Sequence, residues 1–328
     1  MKEFDVIGLG ALNTDLFYRV ERILEDGEAV TQSMAAYPGG SAANTIHGLA
    51  KLGLKTGFIG AVGDDRFGQA LVGTYKRLGV DTSQVKTKSD ATGTVLCLSD
   101  EMGRRSLYVT PGANSQLNAA DINPAYIRRA GILHMATFVD DKQFDLSLGI
   151  IASLGRAVRL SFSPGALYAA RGLKSILPLF KKTHILFINR QELEQLTGQE
   201  LRWAVRTCMK AGCRSVAVTL GRIMNPELST DSDKTGMDGV AYIRDQKQEY
   251  FIKTPRVKTR GKIDTTGAGD AFAAGYLYGY VKNKPPEVCG QIGHLTAQFA
   301  ISRMGARQGL PTVQALSKRY EALYGKPL

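Results

Sequence analysis

The sequence predicts an α/β fold, a three-layer α/β/α sandwich around a mostly parallel central sheet, with a small β-sheet attached. Short apolar runs alternate with helix-period stretches, and several helical stretches end at a glycine placed for a left-handed cap. In addition, two segments, about 14–38 and 91–112, read as strands joined by turns with no helix between them. In chain order the expected strands are Phe4–Leu9, Gly57–Val62, Gly93–Leu98, Ser106–Thr110, Ile132–Ala136, Ala157–Phe162, His184–Ile188 and Ser215–Leu220. The helices Ala42–Leu52, Arg66–Leu78 and Lys142–Leu154 are expected to close at Gly53, Gly79 and Gly155. Asn225–Gly239 is rich in turn formers and reads as a surface loop.

Composition narrows the function classes. A chain of 328 residues, 44% hydrophobic and 22% charged, has enough apolar material for a sizeable core, which excludes global disorder. Its longest apolar stretches, such as Gly131–Val139, fall far short of the roughly 20 residues that span a bilayer. Met1–Asp5 carries no export signal, so a cytoplasmic protein with no membrane partner is expected. Cys97, Cys208, Cys213 and Cys289 lack zinc-ligand spacing and read as buried thiols. The net charge of +12 suits either nucleic acid or anionic small substrates. Without a long basic run or an RNA-binding aromatic signature, no nucleic-acid partner is expected.

Four segments could carry chemistry. In Asp264-Thr265-Thr266-Gly267-Ala268-Gly269-Asp270 a small-residue turn feeds an apolar helix, leaving backbone N–H groups to bind an anion such as phosphate. Asp270 in that turn is either a general base or a helix N-cap. Pro38-Gly39-Gly40-Ser41-Ala42-Ala43-Asn44 allows a close backbone approach to a ligand, with Asn44 free to bond hydroxyls, or is a simple capping arrangement. Gly8-x-Gly10-x-x-Asn13 departs from the dinucleotide fingerprint at its third position and is followed by strand, while Asn13 and Asp15 suit polyol hydroxyls or an Asx-turn. Asn189 and Glu192 leave the carboxyl end of a strand, where Glu192 could hold hydrated magnesium or serve as a dipole partner. The absence of G-x4-G-K-[ST] excludes a P-loop enzyme.

Taken in order, Gly10-x-x-Asn13-x-Asp15, Gly39–Asn44, Gly60-x-Val62-Gly63-x-Asp65-x-Phe67-Gly68, Asn189-x-x-Glu192, Thr219-x-Gly221, Asp264–Phe272 and Gly305-Ala306 with Pro311-Thr312 resemble the ribokinase (PfkB) family of carbohydrate kinases across nearly the whole chain. The resemblance implies one ribokinase-like catalytic domain, 1–328, that moves the γ-phosphoryl of ATP onto a primary hydroxyl of a sugar. A nucleoside kinase of the same fold is the alternative, and a non-catalytic ligand sensor a third reading. By the same similarity Asp270 would be the base, with Gly267, Ala268 and Gly269 as the anion hole. Asn13, Asp15, Gly39, Gly40 and Asn44 would bind substrate, Asn189 and Glu192 would order Mg2+ and phosphates, and Thr219 and Gly221 would line the nucleotide site. Asp264, Thr266, Ala300, Arg303 and Gly305 fall where many members bind a monovalent cation such as K+. The strand-only segments would form a β-lid that closes over substrate and pairs two subunits into a homodimer. The chain departs from the family pattern after Gly221, where Arg222–Pro226 opens the polar loop, at Gly309, where some members carry serine, and at Ser163, where Asp is common. The four histidines are expected to be structural.

Overall fold

The structure is a computed structural model that describes residues 2–102, 104–221, 237–255 and 264–328. Its strands are β1 (Phe4–Leu9), β2 (Asn13–Arg19), β3 (Ser33–Gly39), β4 (Thr56–Gly63), β5 (Asp81–Lys88), β6 (Gly93–Ser99), β7 (Arg105–Thr110), β8 (Ala130–Ala136), β9 (Arg159–Ser163), β10 (Thr183–Asn189), β11 (Ser215–Thr219), β12 (Met237–Arg244) and β13 (Glu249–Pro255). The helices are α1 (Ser41–Lys51), α2 (Arg66–Arg77), α3 (Pro124–Arg128), α4 (Asp141–Ala152), α5 (Gly165–Ala169), α6 (Gly172–Phe180), α7 (Arg190–Thr197), α8 (Leu201–Lys210), α9 (Ala268–Val281), α10 (Pro286–Ala300) and α11 (Val313–Tyr324).

Nine strands form the main sheet in the order β13-β12-β11-β10-β9-β8-β1-β4-β5. Every neighbouring pair from β11 to β5 is parallel, and β12 and β13 close one edge as an antiparallel hairpin. Successive side chains of a strand point to opposite faces, so the apolar runs of β1 and β10 must supply two cores. They do: Ile7, Leu186 and Ile188 pack with Phe144 of α4, Ile176 of α6, Leu193 of α7 and Val205 of α8. Val6, Ile185 and Phe187 pack on the other face with Ile46 of α1, Tyr75 of α2, Phe272 of α9, Ile292 of α10 and Leu316 of α11. The expected three layers are therefore present. No described helix is long and apolar enough to cross a membrane.

A separate four-stranded sheet has the order β3-β2-β6-β7. The two strand-only segments of the sequence meet in it, because β2 and β6 pair in parallel from Asn13↔Gly93 to Arg19↔Ser99. β3 and β7 are added antiparallel at its two edges.

Two expectations need correction. Gly53 and Gly79 do adopt positive φ, but Gly155 does not. α4 ends earlier, where Ser153 donates its hydroxyl to Ile150 O (2.8 Å) and Leu154 N bonds Ile151 O, so no left-handed residue is required. Within the expected loop Asn225–Gly239, residues 237–239 belong to β12 and pair antiparallel with β13. Residues 225–236 lie outside the described residues.

Small residues bring α1, α9 and α10 close together. A methyl group on Gly48 would stand 2.8 Å from Ala274 Cβ, and one on Gly275 would stand 2.8 Å from Gly293 Cα. The first of these approaches packs the middles of α1 and α9 together, and side chains of the first turns of α1 bond Asp270 in the first turn of α9.

Candidate active site

Both helices open on a left-handed or near left-handed glycine. Gly40 (φ 92) precedes α1 and Gly267 (φ 73) precedes α9. A side chain on Gly40 would strike the Ala11 carbonyl, so only glycine lets this turn close on the chain leaving β1. Because Gly267 is the N-cap of α9, Asp270 lies inside the first turn, and the capping alternative for it does not hold. Its carboxylate faces α1 instead. Ser41 Oγ donates to Oδ1 (2.6 Å), Asn44 Nδ2 donates to Oδ2 (2.9 Å), and Thr45 Oγ1 donates to the Asp270 carbonyl (3.3 Å). Burial pushes the Asp270 carboxyl up to about 6, against the hydrogen bonds of Ser41 and Asn44 and the charge of Arg307, with Glu192 adding to the rise.

Asp15 approaches the same place from β2. It is buried, and its carboxylate makes no hydrogen bond among the described residues. Burial, opposed by Arg307 and reinforced by Asp270 and Asp264, pushes its carboxyl up to about 6. Gly39 lies against it so closely that any Cβ there would overlap the carboxylate. Asn13 is held by Asn114, whose Nδ2 donates to Asn13 Oδ1 (2.9 Å) while its Oδ1 accepts from Leu12 N (3.0 Å). Asp15 registers opposite Tyr37 on β3, and the Tyr37 ring meets Phe17 edge-on at 5.6 Å. Behind both carboxylates sits buried Arg307, donating Nε to Asn44 Oδ1 (2.7 Å) and Nη2 to Gly39 O (2.7 Å).

On the other side of the α9 turn is a cavity of 1230 Å³ whose walls include Asn189, Thr219, Gly221, Ala268, Gly269 and Phe272. His294, which sequence reasoning leaves structural, also lies on its wall. His47 and His134 are buried, and desolvation drives each down to about 3, so both are neutral. Asn189 and Glu192 form a capping box on α7: Glu192 N donates to Asn189 Oδ1 (2.8 Å), and Asn189 N donates to Glu192 Oε2 (3.1 Å). Burial raises the Glu192 carboxyl, while the bonds from Asn189 oppose the rise. Of the three amides expected to form an anion hole, that of Ala268 donates to Thr265 O (3.2 Å) and closes the turn.

The residues expected at a monovalent cation lie elsewhere, at the end of α10. Asp264 accepts from Thr266 N (3.0 Å) through Oδ1 and from Gly305 N (2.8 Å) through Oδ2, and Arg303 N bonds Ala300 O (3.4 Å). The Thr266 hydroxyl is buried with no partner among the described residues. A Cβ on Gly309 would stand 2.7 Å from Ala300 O, so serine does not fit there as the backbone runs. Ser163 ends β9, and Arg222–Pro226 lie outside the described residues. Among the described residues no group of three or more His, Cys, Asp or Glu side chains could hold a metal ion.

Asp270, Asp15, Asn44, Gly39 and Gly40 thus converge on one point, and Asn189, Thr219 and Gly221 line the adjoining cavity. Sequence reasoning missed three supporting residues: Arg307, Asn114 and the hydroxyl of Ser41. Ser41 and Arg307 do lie within or beside quoted motifs, whereas nothing around Asn114 marks it.

A helix N-terminus between a large cavity and the Asp15 and Asp270 carboxylates suits phosphoryl transfer to an alcohol group. The model of the pfkB family carbohydrate kinase matches residues 3–223 and 233–313, and the chain belongs to that family. It is 35% identical over 264 residues to an uncharacterized sugar kinase of Archaeoglobus fulgidus, covering 80% of this chain and 98% of that one. It is 28% identical over 323 residues to a nucleoside kinase of Methanocaldococcus jannaschii, covering 98% and 97%. The crystal structure of a M. jannaschii nucleoside kinase, described as an archaeal member of the ribokinase family, superposes with a TM-score of 0.79 at 25% identity, covering 98% and 100%. A ribokinase from Thermotoga maritima shares the fold, with a TM-score of 0.81 at 23% identity over 96% and 98%.

Proposed function

We propose that the protein is an ATP-dependent kinase that phosphorylates a primary hydroxyl of a sugar, with Asp270 as its general base. The observation that carries this reading is the Asp270 carboxylate, held by Ser41 and Asn44 at the start of α9, between Asp15 and the cavity. Each of its oxygens accepts one protein hydrogen bond and keeps a lone pair for the acceptor. The acceptor hydroxyl, oriented by Asp15 and Asn13 beside Gly39 and Gly40, gives its proton to Asp270. Its oxygen attacks the γ-phosphorus as the bond to the β,γ-bridging oxygen breaks, and ADP leaves. Charge on the transferring group is met by the Gly267 and Gly269 amides and the dipole of α9, because Ala268 is committed to Thr265. ATP would occupy the cavity beside Thr219 and Gly221.

Mg2+ suits this site as an ion carried mainly by the phosphates of ATP. Glu192 keeps Oε1 outside the capping box and can reach such an ion through water, with Asn189 beside it. When bound, the ion neutralises phosphate charge. A K+ ion near Asp264 and Thr266 would be held by main-chain carbonyls, including those of Ala300, Arg303 and Gly305, and by a remaining lone pair of Asp264, each of whose oxygens accepts one amide.

A nucleoside acceptor is the second reading. It is favoured by the Phe17–Tyr37 pair on the face of Asp15, an apolar surface larger than a free pentose needs. A coupled ADP-release assay with ATP, Mg2+ and K+, run against free sugars, sugar phosphates and nucleosides, decides between them. We expect one strong acceptor, with K+ raising the rate over choline. Ligand binding with no ADP release across the panel would sink the kinase reading in favour of a sensor.

The reading covers 1–328 as one catalytic domain in which the small sheet is a lid over the acceptor, excluding water that would otherwise accept the phosphoryl group. Its other face presents Leu16, Tyr18, Met34, Leu96 and Tyr108, with Met34 and Tyr108 each 59% exposed. Two copies would bury that face as a homodimer. Tyr108→Lys together with Met34→Lys should give a monomer by sedimentation at concentrations where the unaltered protein is a dimer. We place the protein in the cytoplasm, consistent with four buried free cysteines. Neither nucleic acid nor membrane enters as a partner.

A further inference from the structure

We propose that Arg307 is a positioning residue for the catalytic carboxylate, fixing the Asn44 amide so that its nitrogen, not its oxygen, faces Asp270. This inference rests on Asp270 being the base. An amide can present either end, and its neighbour on the far side decides which. Arg307 offers only donors, so the Asn44 oxygen must turn to Nε (2.7 Å), leaving Nδ2 to donate to Asp270 Oδ2 (2.9 Å). Without the guanidinium Asp270 alone orients the amide, its oxygen is left without a donor, and the geometry of Nδ2 against the carboxylate loosens.

The same group acts on the acceptor side. Nη2 donates to Gly39 O (2.7 Å), where β3 of the small sheet enters α1, so one side chain ties that junction to the base. Its surroundings are those of a functional cation rather than a stabilising one. Arg307 faces Asp15, Asp270, the ring of Tyr75 at 5.5 Å and neutral His47, while Nη1 is buried with no partner among the described residues. An apolar side chain of similar volume would relieve the unpaired Nη1 but leave Asn44 Oδ1 and Gly39 O without their donor, so the arginine is explained by the groups it orients and not by filling space.

The test is a double-mutant cycle on the full-length protein, with kcat and both KM values measured on the acceptor identified by the ADP-release panel. Arg307→Met should lower kcat about 10- to 100-fold with KM for ATP within about twofold, and Arg307→Lys, which keeps one charged donor, should fall between it and the unaltered protein. In an Asn44→Ala background the same Arg307→Met change should cost less than about threefold, because the amide it orients is gone. Should Arg307→Met fail to fold, Arg307→Lys takes its place in the cycle, with a loss expected only when Asn44 is present. Equal losses with and without Asn44, or full kcat in a folded Arg307→Met protein, would overturn the role. Asp270→Asn, assayed alongside, separates the two claims: if it is inactive while Arg307 shows no coupling to Asn44, only the positioning role falls. If Asp270→Asn retains full turnover, the base assignment itself is wrong.

Discussion

Asp270→Asn should lower kcat by about two to four orders of magnitude and leave ATP affinity nearly unchanged. The amide is isosteric and still accepts from Ser41 through its oxygen, while its nitrogen faces the Asn44 nitrogen, so the loss combines the missing proton acceptor, the larger part, with one broken hydrogen bond. The pH dependence follows from the same carboxylate. A base works only when ionised, and burial holds the Asp270 carboxyl at about 6, so log kcat/KM should rise with pH through that region and level off above it. Asp15 titrates in the same region and is also needed ionised, so the acid limb should be steeper than one proton. Replacing Asp15 by Asn should return it to a slope of one. A flat profile between about pH 5 and 8, or an Asp270→Asn protein with ordinary turnover, would remove Asp270 from the mechanism.

Most of the β-strands that the sequence announces are buried on both faces, the exposed β7 being legible instead from its β-branched and aromatic run. β1, β8 and β10 are near-continuous apolar runs, and their neighbours hide their backbone, so composition and position coincide. β5 was missed for the opposite reason: Asp-Thr-Ser-Gln-Val-Lys-Thr-Lys is an edge strand, half exposed and polar, and a polar edge is what keeps a sheet from pairing with another chain. The site divides similarly. The glycine turns before α1 and α9 are visible because a backbone that must turn left-handed restricts the residue to glycine. Asn114 and Arg307 are invisible because their role depends on contacts 102 and 263 residues away, with Leu12 and Asn44, which no local pattern encodes. Asn44 itself reads from sequence as a ligand for substrate, yet the fold gives both ends of its amide to protein partners.

Asp15→Ala should lower kcat/KM for the acceptor by about two to three orders of magnitude while KM for ATP stays put. A hydrogen bond to an ionised carboxylate contributes about 1.5–3 kcal/mol, and the Asp15 carboxylate has two oxygens that accept no hydrogen bond among the described residues. The loss should appear mainly in KM if Asp15 only binds, and in kcat as well if it aligns the attacking oxygen with Asp270. Asp15→Asn keeps one accepting oxygen and carries no charge, so its deficit should be smaller than that of Asp15→Ala. It should also narrow as the pH falls below about 6, where the unaltered Asp15 itself becomes protonated and loses its advantage. An acceptor analogue lacking one hydroxyl completes the argument. If Asp15 holds that hydroxyl, the unaltered enzyme should lose on the analogue what Asp15→Ala has already lost, and Asp15→Ala should lose little more. Full independent losses would place the hydroxyl against another residue and leave Asp15 as a structural carboxylate.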